Sequence, residues 1–149
     1  MDGPWTTYID AMDRAVEAGD TTLAVRAWRD AYAASLEHPG WAGLVHVAAA
    51  SVRMGELPGM RKACESRARE TYWTALFRAR KQGSLNGVLQ TAEAFGSLGD
   101  RTMVEQCIKV AEGLAALGGD ADAASRVRML TADLVRRYVE AAGVVLDRA

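Results

Sequence analysis

His38, His46, Cys64 and Cys107 are the side chains here best suited to bind a metal or attack a substrate, yet no spacing joins one to another. A zinc site draws on pairs such as Cys-x2-Cys or His-x3-His, and neither occurs, so four distant positions would have to converge. A catalytic histidine needs a nucleophile or carboxylate within hydrogen-bond reach, and the sequence points to no such partner. His38 precedes Pro39 in a turn, where a solvated or capping role is expected. His46 interrupts an apolar stretch and is expected at a helix edge or hydrogen-bonded inside the packing. Both cysteines fall on apolar sides of helical segments, as reduced thiols that pack like small hydrophobes; one bridge between them is the alternative. Asp10-x2-Asp13 and Asp120-x-Asp122 pair carboxylates, but the second pair stands at a helix start, where acids are favourable in any case. Gly99 and Gly118-Gly119 are turn glycines without a phosphate loop around them. No cofactor and no metal is implied, and the chain is expected to be non-catalytic.

One constellation suits recognition rather than catalysis. Lys62, Arg69, Trp73, Phe77 and Arg80 recur at helical spacing in one long segment. With the seam Leu57, Met60, Cys64, Ala68, Tyr72 and Leu76 turned inward, at about 100° per residue Trp73 and Phe77 point nearly the opposite way. Trp and Arg are the preferred anchors of protein interfaces, and guanidinium forks suit carboxylates. Two readings stay open. The stripe is a docking surface, or the two rings are buried against a neighbouring helix pair with the cations as a solvated rim.

The elements that must carry these residues are helical. Alanine is abundant, proline scarce, and no stretch alternates apolar and polar residues as a strand does. At 149 residues the chain can build a real core. Its formal net charge of -1 gives no global case for nucleic acid. The charge is uneven, however: residues 61–81 hold seven basic and two acidic side chains between mildly acidic flanks. The longest uncharged run, His38 to Val52, is too short to span a bilayer. The opening residues lack the basic and apolar regions of a signal peptide. A cytoplasmic location without membrane attachment is expected.

Seven helices are predicted: the first about 5–18, the second ending before His38, the third from Trp41 to the Met54-Gly55 turn, the fourth about 57–81, a fifth and sixth within about 84–117 that meet at Gly99-Asp100, and the seventh about 121–146. Gly19-Asp20, Gly99-Asp100 and Gly119-Asp120 repeat one turn, in which glycine takes the left-handed position and aspartate caps the next helix. Pro58 is placed in the first turn of the fourth helix, where its missing N–H is harmless. The seventh is expected to repeat Val127, Leu130, Leu134, Tyr138, Ala141 and Val145 on its packed side.

The odd-numbered helices begin near residues 5, 40, 84 and 120, offsets of 35, 44 and 36. Two of these approach the 34-residue tetratricopeptide period. The first pair reads Tyr8, Ala11, Met12, Ala15, Gly19, Ala24, Trp28 and Ala31; the third reads Val88, Thr91, Ala92, Phe95, Gly99, Val104, Ile108 and Ala111. Alanine lets helices approach, and the large residue fills the gap beside it. In the second pair Trp41, Leu44, Val45 and Ala48 fit, but the Gly55 turn is displaced, and the usual repeat-end proline is absent. The chain therefore resembles a divergent tetratricopeptide-like array over about residues 5–146.

That resemblance implies one all-α domain over residues 1–149. Antiparallel pairs (about 5–37, 40–81 and 84–117) would stack as a short right-handed solenoid, with a capping helix near 120–146. It implies a non-catalytic adaptor or scaffold that holds a protein or peptide. Pairing of two copies through Trp5 and Ile9 at an uncapped end is expected as a homodimer route. The alternatives are an all-α ligand binder or enzyme, its interhelical pocket lined by Trp5, Trp28, Trp41 and Tyr72 near His46, and a regulatory domain touching nucleic acid through the basic fourth helix. The short positive patch argues against the last.

Overall fold

The computed structural model describes residues 3–140, which are helical throughout apart from turns; no strand occurs among the described residues. The elements are α1 (Thr6–Glu17), α2 (Thr21–Glu37), α3 (Ala42–Met54), α4 (Arg61–Lys81), α5 (Leu85–Ser97), α6 (Arg101–Gly118) and α7 (Ala121–Leu134), followed by a π-helical stretch, Val135–Glu140. The chain forms two compact units, Met1–Ala75 and Leu76–Ala149, divided within α4. No helix among the described residues is long and apolar enough to cross a membrane.

In the first unit α1 folds back on α2, and α3 packs on both. The large residues at helical spacing supply the core: Trp5, Ile9 and Met12 from α1 and its entry, Trp28 from α2, Val47 and Met54 from α3. Ala15, Ala24, Ala27 and Ala31 lie between them and let the backbones close up. Trp5 and Ile9, expected at an open end where two copies could pair, are instead buried here, in the cluster that α1 and its entry make with α2 and α3. Trp5, Trp28 and Tyr72 fill the interior rather than ring a pocket, and Trp41 is half-buried.

The connection into α4 departs from the predicted helix at Leu57. The Gly59 backbone turns left-handed at φ 75°, so residues 55–60 form tight turns, and the helix starts at Arg61. Leu57 is nevertheless buried beside Cys64, which is why its spacing imitated another helical turn. Pro58 lies in this turn and not in a helix.

In the second unit α5 packs on α6, and α6 on α7. Its buried apolar residues include Leu76 and Ala79 from α4, Val88, Ala92 and Phe95 from α5, Val104, Cys107, Ile108, Ala111 and Ala115 from α6, and Val127 and Leu134 from α7. The expected seventh helix is interrupted: α-helical bonding ends at Leu134, and Leu130, expected in its seam, is exposed. Ala141 and Val145 lie outside the described residues.

The Gly-Asp turns are one device. The N–H of Asp20 donates to the Ala15 carbonyl at 2.9 Å and that of Asp100 to the Phe95 carbonyl at 3.0 Å, each across a left-handed glycine. Asp20 then accepts from the Leu23 N–H at 3.1 Å and Asp100 from the Met103 N–H at 3.2 Å. Asp120 caps α7 in the same way, and Ser84 serves α5. We expect Asp100→Ala to cost about 1 kcal/mol, the usual worth of an amino-terminal cap. Denaturant unfolding followed by far-ultraviolet circular dichroism reads this; an unchanged midpoint would contradict it.

Candidate functional site

Each chemistry-bearing residue has a structural occupation. The Trp5 Nε1–H donates to Nδ1 of His46 at 3.1 Å. Burial, then the Arg53 charge, lowers the His46 pKa below its ordinary 6.5, while Asp10 and Asp13 oppose this. Asp13 is engaged by Arg53, whose Nε and Nη2 donate to its two carboxylate oxygens at 3.1 and 3.2 Å. That fork ties α1 to α3 beside His46. His38 accepts the Gly40 N–H on its Nδ1 at 3.2 Å and sets its ring edge-on to Trp5, with centroids 5.3 Å apart.

Because Nδ1 of His46 is an acceptor, protonating it breaks the Trp5 bond. A folded pKa below the unfolded value means that the unfolded chain gains the proton first as pH falls. The histidine's contribution is therefore intact above about pH 6.5 and is lost as pH drops through the folded pKa. We expect the denaturation midpoint, read by tryptophan fluorescence, to fall on acidification below that point. In His46→Gln, which still offers an acceptor but does not titrate, the fall should flatten. An equally steep fall in the variant would remove the assignment. All four tryptophans (5, 28, 41 and 73) lie in the first unit, so the signal reports that unit.

Both cysteines are free and buried, and they lie in different units. Burial pushes the Cys107 thiol up to about 12 and raises that of Cys64, so neither is a ready thiolate. The Ser51 hydroxyl donates to the Cys64 carbonyl at 2.8 Å, pinning α3 to the start of α4.

The surface that stays open to recognition lies on α4. Its buried side carries Cys64, Ala68, Thr71, Tyr72, Ala75, Leu76 and Ala79. Trp73 is 53% exposed and Phe77 60% exposed on the other side. The rings are therefore not buried against a neighbouring helix pair. Lys62 and Arg80 are exposed and Arg69 is half-buried. At about 100° per residue all five fall within about 40° of Trp73 around the axis. No acid shares that arc; Glu65 and Glu70 flank it. Glu65 is met by Arg61 at 3.4 Å, four residues earlier. Arg67, by contrast, is a packing residue whose guanidinium sits 5.5 Å from the centre of the Trp28 ring.

The second unit also carries a concavity that no sequence motif marks. In the second unit α5 and α7 leave a groove of about 420 Å³, lined by Leu89, Leu130 and Leu134 with Asn86, Gln90, Glu93 and Arg137. Arg137 donates to Glu93 across it and meets Asp133 at 2.9 Å. Hydrogen bonds from Arg136, with the two guanidinium charges, hold the Asp133 carboxyl below its usual range. The helical spacing of Asn86, Gln90 and Glu93 on α5 was the available signal; the far wall comes from residues some forty positions away. Comparison with family models, curated proteins and solved structures found no match to the chain.

Proposed function

We propose that this chain is a non-catalytic protein-interaction adaptor of tetratricopeptide-like type, and that the outer face of α4 is where it holds its partner. One observation carries the reading: Trp73 and Phe77, one helical turn apart, both stand more than half exposed on a helix whose other large apolar residues, Tyr72 and Leu76, are buried. Leaving two large rings more than half exposed forgoes about half of the roughly 1.5–3 kcal/mol that full burial of each would give. Adjacent exposed aromatics framed by cations have the composition of an interface centre. The repeat-like spacing of the helices, with the Gly-Asp turns between them, supports the adaptor class.

Site-directed photocrosslinking tests this. A benzophenone side chain at position 77 should yield a discrete adduct with a cellular protein in the native host, lost in Trp73→Ala. The same group at exposed Thr102 on α6 should not yield it. No adduct from position 77, or the same adduct from both positions, removes α4 as the docking face. The α5–α7 groove supports a second reading, a binder of a small amphipathic ligand, since an apolar floor there meets an ion-paired rim.

A further inference from the structure

On the docking reading above, we infer that the α4 face takes an acidic amphipathic helix of another protein, with apolar residues four apart lying on Trp73 and Phe77 and carboxylates meeting Lys62 and Arg80. The face belongs wholly to one helix. Every backbone N–H and C=O along its middle is used inside that helix, so it offers no edge to which an extended strand could add. A partner lying along it must satisfy its own backbone, and a helix does so.

Charge then chooses the helix. The arc carries three cations and no acid, within a segment of seven basic and two acidic residues. Lys62 and Arg80 stand 18 residues apart, about 27 Å at 1.5 Å per residue, with the rings between them. A partner of about five turns reaches both.

Two other occupants fit less well. A second copy of this chain would set the same cations against each other. A nucleic acid would lay contiguous phosphates against Glu70, which borders the rings and is exposed. A helix with spaced charges avoids Glu70 or answers it with a lysine. Three cations on a chain of net charge -1 also make a small phosphate footprint.

Fluorescence anisotropy of the full chain tests this with three labelled probes. They are an 18-residue helical peptide with central leucines four apart and flanking glutamates, the same peptide with lysine for every glutamate, and an 18-nucleotide oligothymidylate. We expect the acidic peptide to bind at least tenfold tighter than the basic one, and to weaken several-fold between 50 and 300 mM salt, since these charges are screened. In the double variant Lys62→Glu/Arg80→Glu the peptide preference should reverse. Both positions are exposed, and an unchanged circular dichroism spectrum establishes that the variant is folded. Equal binding of the two peptides, or an unchanged preference in the double variant, overturns the acidic partner. Crosslinked adducts from position 77 would then still uphold the docking face. Tighter binding of the oligothymidylate, lost in the double variant, overturns it in favour of nucleic acid.

Discussion

Trp28→Ala is expected to destabilise the first unit by about 3–5 kcal/mol, the range for removing a large buried aromatic. Trp28 joins three elements. Its ring stacks on Tyr32 at 5.2 Å and 13° and belongs to the buried cluster that holds Ile9, Met12 and Val47. Its Nε1–H donates to the Val47 carbonyl of α3 at 2.9 Å, and Arg67 of α4 rests over the ring. These contributions separate by substitution. Trp28→Phe keeps most of the apolar area and loses the N–H, so it should cost about 1–2 kcal/mol, one buried hydrogen bond and a poorer fit. Arg67→Ala should cost about 0.5–1 kcal/mol, the worth of an exposed cation over an indole. The three are not additive, because they share one ring. Guanidinium unfolding is the measurement, with circular dichroism for the Trp28 variants, since they alter the fluorophore. A loss below 1 kcal/mol for Trp28→Ala would show that the site collapses around the gap, and that this ring does not organise the unit.

What the sequence allowed to be read in advance follows the range of the forces involved. Turns such as Gly19-Asp20 and Gly99-Asp100 are set by residues within one turn of each other: a left-handed glycine, a side-chain cap and an abrupt loss of apolar spacing. The inner and outer sides of α4 were also legible, because helical geometry alone puts Trp73 opposite Cys64 and Ala68. Whether a second element covers that outer side is not encoded in α4, so both readings of Trp73 had to stay open until its exposure was seen. The failure at Leu57 has a similar cause. A buried turn residue continues the apolar seam of a helix it does not belong to, and only the positive φ of Gly59 separates the two. The Arg53–Asp13 fork and the Trp5–His46 bond join residues about forty positions apart, where no periodicity leads from one partner to the other. The α5–α7 groove escaped for the same reason, since its polar rim is recognisable on α5 while its floor depends on where α7 is laid down.

Gly43→Ala is expected to reverse the usual effect of placing alanine in a helix. In an α-helix interior that change ordinarily stabilises by about 0.5–1 kcal/mol, because alanine restricts the unfolded chain. Gly43 is buried in α3, and a Cβ there would stand 2.8–2.9 Å from carbons of the Trp5 ring. A Cβ on Gly3 would overlap the same ring, so the indole lies between two glycine backbones. It cannot swing aside cheaply, being buried and held by its bond to His46. Overpacking of this kind costs about 1–3 kcal/mol, and it should outweigh the entropic gain. Gly113, in α6 of the second unit, has nothing within 4 Å of the equivalent position. Gly113→Ala should therefore stabilise by about 0.5–1 kcal/mol, the opposite sign from the same chemical change. The cause is isolated by a double-mutant cycle. In a Trp5→Ala background the ring is gone, and Gly43→Ala should become neutral or stabilising. If Gly43→Ala costs as much there as in the wild type, the penalty does not come from the indole, and the seat that the two glycines make for Trp5 is not what orders the amino-terminal segment against α3.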